Sequence, residues 1–237
     1  MGLMAGKVFR GIMRSLVAPF AIAGDEALRK SSYALKRALH VRAIADSAEI
    51  VRNEMPGALF CEDRFENLEY ALSLRPKGLV LEFGVFRGTT IRLIAKHCGA
   101  EKVYGFDSFK GLPEKWVGSR NTATTMDRGG ELPQVPANVE LVAGLFGDTL
   151  PGFLAGHPGD IGFVHIDCDI YTSTREVFKN IGGRLAPGSV IVFDEFFGYH
   201  GFKEHEYKAF HEFIAESGRK FRFASYSGSQ ATAVLDS

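Results

Sequence analysis

Four acidic residues directly follow two apolar segments of the chain. Asp167 and Asp169 follow residues 161–166, and Asp194 and Glu195 follow residues 190–193. If both segments are neighbouring parallel strands, the four carboxylates meet at one edge of a sheet. Crowded like charges repel strongly unless a cation neutralises them, and oxygen ligands favour Mg²⁺, with Ca²⁺ or Mn²⁺ as alternatives. The pattern therefore predicts a divalent metal site, with solvated or helix-capping acids as the alternative.

A glycine turn follows the first strand-like segment, residues 79–83. Gly84 and Gly88 allow the backbone to turn sharply and approach a ligand before a helix begins. The turn matches neither the dinucleotide-binding nor the P-loop pattern. Asp107 ends the next strand, 25 residues after Glu82, where a carboxylate can accept hydrogen bonds from both ribose hydroxyls. The turn and the acid together predict an adenosine-containing cofactor, although a helix cap would also explain Asp107.

Histidines flank the acidic segments. His165 lies within an apolar strand, which predicts a core residue with a satisfied ring. His200 lies in a Gly-Tyr-His-Gly loop near the predicted rim, where it could contact a substrate. The Gly-x-Ser-x-Gly pattern of the α/β-hydrolases is absent. The solvated face of a later helix is predicted to carry His205, Glu206, His211 and Glu212.

Alternating strands and helices must position these groups. Residues 1–75 indicate successive helices, including 25–55 and 63–74, with no internal repeat. Beyond Pro76 the pattern changes to short apolar strands separated by helices, which predicts an α/β fold with a doubly wound, mainly parallel, seven-stranded Rossmann-like sheet and an antiparallel closing hairpin. Ligands of such sheets bind beyond the carboxyl ends of the strands. The predicted strands are 79–83, 102–106, 139–142, 161–166, 190–193, 221–226 and 230–235.

Composition and charge exclude several classes of protein. The 237 residues carry 28 Lys and Arg against 28 Asp and Glu, so no global charge favours nucleic acid. Residues 1–42 nevertheless hold eight basic and two acidic side chains, typical of a basic helical arm. No apolar run reaches the ~20 residues of a membrane span, and we expect a surface helix near residues 16–24 rather than a cleavable signal. Three widely spaced cysteines favour a reducing compartment, and we expect a cytoplasmic protein.

Four ordered motifs resemble the macrocin O-methyltransferase family. Residues 82–88 and 106–113 look like the cofactor half of that family, and residues 144–151 are similar to its G-W-F-x-D-T-L-P segment. Residues 167–174 match its D-x-D-x-Y-x-S-T signature. The resemblance covers roughly residues 78–200. It implies a class I, Mg²⁺-dependent enzyme that transfers a methyl group from S-adenosylmethionine to a sugar hydroxyl.

The resemblance also implies roles for individual residues. Asp167, Asp194 and Glu195 would bind the metal, with Asp167 counted as catalytic as well, and Asp169 would be the general base. The cofactor would contact Glu82, Gly84, Val85, Gly88 and Thr89 at its methionine end, Asp107 and Ser108 at the ribose, and Phe146 and Asp148 near the adenine. The acceptor would contact Tyr171, Tyr199 and His200.

Two residues depart from the family pattern. Glu195 stands where the family usually has a second aspartate, which puts metal preference in question, and Leu145 replaces the family tryptophan beside the adenine. Catechol-type relatives use a lysine three residues after the first metal aspartate, whereas this chain has Ile170. A lysine base is therefore not expected.

The change from successive helices to alternating strands divides the chain into an N-terminal helical extension, residues 1–75, and residues 76–237, which would be the methyltransferase domain that the resemblance implies. The extension would form a lid over the acceptor, a homodimer interface, or both. A small-molecule or oligosaccharide acceptor is expected, with no nucleic acid and no stable membrane span. The alternatives are a catechol-type diol O-methyltransferase, a nucleotide-dependent oxidoreductase, and a non-catalytic cofactor-binding protein on the same fold.

Overall fold

A computed structural model describes residues 32–114 and 126–236. The basic arm before residue 32, with the surface helix expected near residues 16–24, and residues 115–125 lie outside the described residues. The chain divides into two compact units, Met1–Arg42 and Ala43–Ser237. The described part of the first unit is the beginning of a helix, and the second unit contains the sheet.

The elements alternate as the apolar pattern predicts. The helices are α1 (Ser32–Glu54), α2 (Arg64–Leu74), α3 (Thr89–Cys98), α4 (Phe146–Gly156), α5 (Tyr171–Ile181) and α6 (Glu206–Ser217). The strands are β1 (Leu59–Phe60), β2 (Leu79–Phe83), β3 (Val103–Asp107), β4 (Val139–Ala143), β5 (Ile161–Ile166), β6 (Leu185–Phe193), β7 (Phe221–Ser227) and β8 (Gln230–Leu235). None of these helices is both long and apolar enough to cross a membrane.

One sheet contains all eight of these strands, in the order β1-β7-β8-β6-β5-β2-β3-β4. Its pairs are parallel except for β6 with β8 and β7 with β8, so the mainly parallel sheet with an antiparallel closing hairpin is confirmed. Seven strands were expected from the pattern. The eighth, β1, has only two residues, too few for a period-two signal, and it pairs in parallel with β7.

Two further differences arise around β5 and β6. The sequence pattern predicts a helix over 174–185, whereas α5 begins at Tyr171 and ends at Ile181, before two glycines. Strand β6 begins at Leu185 rather than Val190, because a bulge in its pairing with β5 accommodates the segment that precedes Val190.

Hydrophobic side chains cover both faces of the sheet. One buried cluster centres on the aromatic rings of Phe83, Phe106, Phe193 and Phe210, beneath α4, α5 and α6. The other includes Leu68 and Leu72 of α2, with residues of α3 and β2. Residues 59–74, which the sequence assigns to the helical extension, thus contribute β1 and α2 to the sheet unit. Both layers hold the carboxyl ends of the strands in a fixed relation to one another.

Candidate cofactor and acidic site

A cavity of about 730 Å³ lies beyond the carboxyl ends of the parallel strands. Its lining combines the glycine turn after β2, the loops after β3 and β4, and the acidic segments after β5 and β6. The predicted site residues that line it are Gly84, Val85, Thr89, Asp107, Ser108, Phe146, Asp148, Asp167, Asp169, Asp194 and Glu195. The cofactor motifs and the acidic rim therefore belong to one continuous cavity.

Gly84 lets the turn after β2 touch the loop after β5. Its φ is +96°, and a Cβ atom there would lie 1.7 Å from the carbonyl oxygen of Asp167. No side chain fits that space, and the left-handed conformation also favours glycine. The backbone of Phe86, two residues later, has a φ of +46°, which is uncommon for an aromatic residue. The turn is thus held in a conformation with little tolerance for substitution.

Asp107 connects the loops after β2 and β3. Its Oδ2 atom accepts hydrogen bonds from the backbone N–H groups of Val85 at 2.9 Å and Phe86 at 2.7 Å. Its Oδ1 atom accepts from the N–H of Phe109 at 2.7 Å. The adjacent Ser108 hydroxyl donates to the carbonyl of Gly111 at 2.8 Å. Both side chains therefore shape the loops that line the cavity, a role that the ribose interpretation did not include.

The segment after β4 forms the opposite wall. Phe146 opens α4 and packs edge-on against Phe83, with ring centroids 5.3 Å apart. Asp148 lies in the first turn of α4, where the helix dipole favours an acid. Leu145, at the position of the family tryptophan, is half exposed. This wall therefore offers an apolar surface beside an acid.

The acids after β5 and β6 converge. One oxygen from each of Asp167, Asp169 and Glu195 lies within 4.8 Å of the others. A second group within the same distance joins Asp167 and Asp194 to the ring of His165. Asp169 has a left-handed backbone, with a φ of +66°, which directs this short loop into the cavity. The four carboxylates thus meet at one edge of the sheet in two groups that share Asp167, with Asp194 in one group and Glu195 in the other.

Burial and mutual repulsion raise the pKa values of these acids. Burial raises the pKa of Asp169 to about 7, with further contributions from the charges of Asp194 and Asp107. Burial, and next the charge of Asp194, raises the pKa of Asp167 well above its ordinary range. Burial and the charge of Asp167 do the same for Glu195. A cluster of this kind holds fewer negative charges than it has carboxyl groups unless a cation neutralises it.

Glu206 is a fifth carboxylate of the cluster, and the prediction of a solvated helix face was wrong for it. The side chain is fully buried, and its Oε2 atom accepts a hydrogen bond from the backbone N–H of Glu195 at 3.2 Å. Its neighbour His205 is buried as well, and His211 is half-buried, with Nε2 3.5 Å from Glu54. The amphipathic pattern of α6 does not predict the burial of Glu206, because that burial comes from the loop before the helix, which brings the first turn of α6 against Glu195.

Several predicted site residues lie away from the cavity lining. Glu82 is fully buried and its Oε1 lies 2.9 Å from Nδ1 of His165, so both are core residues of the sheet. The His165 ring is only partly satisfied, because its Nε2 is buried without a hydrogen-bond partner among the described residues. Gly88 is the N-cap residue of α3, with a φ of +76°, and it is not among the described residues that line the cavity. Tyr171 donates to Glu212 on α6 at 2.6 Å.

The loop after β6 holds the other two residues expected at the acceptor. The hydroxyl of Tyr199 donates to the carbonyl of Glu195 at 3.3 Å, and His200 is exposed. Neither residue is among the described residues that line the cavity. Arg64, which the sequence did not single out, does line it, at the beginning of α2.

Comparison with known proteins decides the class of domain. Residues 81–196, which include the glycine turn and the acidic rim, match the family Methyltransf_24, described as a methyltransferase domain. The chain contains a methyltransferase domain. The family resemblance predicted from the four motifs is thereby confirmed at the level of this domain, and the β2–β6 segment is its core.

One curated relative of this methyltransferase domain comes from Streptomyces olivaceus. It is named 8-demethyl-8-(2,3-dimethoxy-alpha-L-rhamnosyl)-tetracenomycin-C 4'-O-methyltransferase, and it is 31% identical over 159 residues, 56% of this chain and 60% of the relative. The chain thus matches about three-fifths of the length of that relative.

Two solved structures share the fold. The O-methyltransferase NovP is 20% identical with a TM-score of 0.58, covering 73% of this chain and 80% of NovP. The calicheamicin methyltransferase CalS11 is 20% identical with a TM-score of 0.57, covering 86% of this chain and 93% of CalS11.

Proposed function

We propose that this protein transfers a methyl group from S-adenosylmethionine to a sugar hydroxyl with the help of a divalent metal ion. The observation that carries the proposal is the continuity of the cavity, which joins the glycine turn and Asp107 loop to the acidic rim. The curated relative, named for methylation of a rhamnosyl group, supports a sugar of a glycosylated compound as the acceptor. A methyl donor at one wall and carboxylates at the other would bring an acceptor oxygen and the methyl carbon together.

The cofactor would occupy the wall formed by the loops after β2, β3 and β4. The methionine portion would lie along the glycine turn, where Gly84 lines the cavity and packs directly against the backbone of Asp167. The ribose would bind at the Asp107 loop, whose carboxylate retains one lone pair, on Oδ1, beside its three backbone donors. Phe146 and Asp148 would face the adenine. The remaining contacts of this wall would come from Val85, Thr89 and Ser108.

The acidic rim fits a hard divalent cation. The donor set consists of carboxylate oxygens, which suits Mg²⁺, with Mn²⁺ or Ca²⁺ as alternatives. Glu195 has an Oε2 atom that is buried without a hydrogen-bond partner among the described residues, so it presents a lone pair that a cation would satisfy. Asp167, Asp194 and Glu195 would hold the ion, and the longer side chain of Glu195 would compensate for the usual aspartate. When bound, the ion would polarise and orient acceptor hydroxyls.

Asp169 would act as the general base. The Asp169 carboxyl lies in the cavity beside the oxygens of Asp167 and Glu195, where an ionised carboxylate would accept the proton of an acceptor hydroxyl. The acceptor oxygen would attack the methyl carbon, the carbon–sulfur bond would break to leave S-adenosylhomocysteine, and the hydroxyl proton would pass to Asp169. Alignment of oxygen, carbon and sulfur within the cavity would supply much of the rate.

The first experiment is calorimetric titration of the full chain with S-adenosylhomocysteine, with and without Mg²⁺. A panel of rhamnosides, other glycosides and catechols is then assayed with methyl-labelled S-adenosylmethionine. We expect micromolar cofactor binding and label transfer to a glycoside. The Asp169→Asn variant should bind S-adenosylhomocysteine normally but transfer the methyl group at least 100-fold more slowly, since general bases typically contribute ~10²–10⁴-fold. Absence of cofactor binding would refute the proposal, and exclusive transfer to catechols would refute the sugar acceptor.

A further inference from the structure

A chain of buried polar side chains crosses from the closing hairpin to the acidic rim. Asn67 on α2 accepts hydrogen bonds at Oδ1 from the hydroxyls of Ser225 at 2.7 Å and Thr232 at 3.3 Å. Its Nδ2 donates to Oε1 of Gln230 at 3.3 Å. The Nε2 of Gln230 in turn donates to Oδ1 of Asp194. At most 6% of any of these five residues is exposed to solvent.

The direction of these hydrogen bonds fixes the orientation of both amides. An ionised Asp194 only accepts hydrogen bonds, so the amide nitrogen of Gln230 must face it. The amide oxygen of Gln230 then faces the amide nitrogen of Asn67, and Oδ1 of Asn67 accepts from the two hydroxyls. A flipped amide at either position would bring two donors or two acceptors together in a buried site, where an unmade hydrogen bond costs ~1–3 kcal/mol. These hydrogen-bonded side chains therefore direct an N–H donor at Oδ1 of Asp194.

Other side chains surround the same carboxylate. Nε2 of His165 lies 4.0 Å from the same Oδ1 atom, while Nδ1 of that ring lies 2.9 Å from Glu82. The other oxygen, Oδ2, lies 3.6 Å from the guanidinium of Arg64, which is 45% exposed on its side chain and lines the cavity. Oδ1 thus faces buried protein groups, and Oδ2 faces the cavity.

We propose that Asn67 and Gln230 are positioning residues that hold Asp194 with Oδ2 directed at the divalent ion. This inference rests on the proposed function, because the ion is part of it. Both residues lie outside the matched domain segment of residues 81–196, in α2 and in the closing hairpin. The hairpin and α2 would then contribute to the metal site without touching the ion. Partners of this kind orient metal ligands, and their loss typically costs ~10–100-fold in metal affinity.

The test compares Gln230→Leu with wild type and with a matched control, Gln134→Leu, which changes an exposed glutamine. Mn²⁺ affinity is measured by electron paramagnetic resonance of the free ion, and S-adenosylhomocysteine affinity by calorimetry in EDTA. We expect Gln230→Leu to weaken Mn²⁺ binding ~10–100-fold and to leave S-adenosylhomocysteine affinity unchanged. Gln134→Leu should change neither affinity.

A milder variant protects the test against misfolding. Ser225→Ala removes one of the two donors that orient Asn67, and we expect it to weaken Mn²⁺ binding by a smaller factor than Gln230→Leu. If Mn²⁺ affinity stays within twofold of wild type in both variants, the positioning role is refuted, even if the melting temperature falls. Failure of wild type to bind Mn²⁺ would instead refute the metal-dependent part of the proposed function, and this inference with it.

Discussion

We expect the acidic rim to make the metal-free protein less stable as the pH rises, and Asp169→Asn tests the contribution of one of its carboxyls. Asp169 is only 6% exposed, and burial raises its pKa from 3.8 to about 7, with the charges of Asp194 and Asp107 adding to the effect. The folded protein therefore holds the proton of Asp169 at a pH where the unfolded chain has released it. An asparagine at this position has a similar shape and no proton to lose.

The sign and size of the effect follow from linkage. Between pH 3.8 and about 7 the folded state binds more protons than the unfolded state, so the free energy of unfolding decreases as the pH rises through this window. A difference of about three pKa units corresponds to roughly 4 kcal/mol, at ~1.4 kcal/mol per unit. We therefore expect Asp169→Asn to gain up to ~4 kcal/mol over wild type between pH 4 and 8. Saturating Mg²⁺ should reduce this gain, since a bound cation favours the charged carboxylate.

Urea unfolding in EDTA at several pH values between 4 and 8 measures this difference. The control is Asp160→Asn, which changes an exposed aspartate and should keep the pH dependence of wild type. Three other acids also have raised pKa values, so the free energy of unfolding falls with rising pH in both proteins; they are Asp167, Glu195 and Glu206. The quantity compared is therefore the slope of the unfolding free energy against pH. If wild type and Asp169→Asn show the same slope, the carboxyl is not held in the buried environment described above and the reasoning fails.

Three further substitutions test other parts of the site. Gly84→Ala would place a methyl group 1.7 Å from a carbonyl oxygen, so we expect at least tenfold weaker S-adenosylhomocysteine binding by calorimetry, and unchanged affinity would contradict the close approach. Asp107→Ala removes three hydrogen bonds to a carboxylate and should lower the free energy of unfolding by ~2–4 kcal/mol in urea. Glu206→Gln removes a buried carboxylate whose pKa is raised mainly by burial. The melting temperature of the metal-free protein at pH 8 should therefore rise, and a fall would contradict the place of Glu206 in the acidic cluster.

Local patterns in the sequence were sufficient to predict the sheet and the edge of it that carries the site. The apolar runs of β2, β3 and β5 identify buried parallel strands, because both faces of such strands are covered. The acids that end them, such as Asp107 and Asp167, then meet at one edge for purely topological reasons. The resemblance of the motifs to a methyltransferase family followed from these same segments. The eighth strand and the bulge in β6 carry no comparable local signal.

The tertiary structure alone decided which polar groups act together. Asn67 and Gln230 are 163 positions apart, and each by itself is an ordinary polar residue of a helix or a strand. Glu206 has the pattern of a solvated helix, yet it is buried against Glu195. The reason is physical: a buried polar group must find a partner, and long-range packing rather than sequence spacing determines which partner is within reach. The sequence by itself determined the acids at the strand ends, and the packing of α2, α6 and the closing hairpin decided what surrounds them.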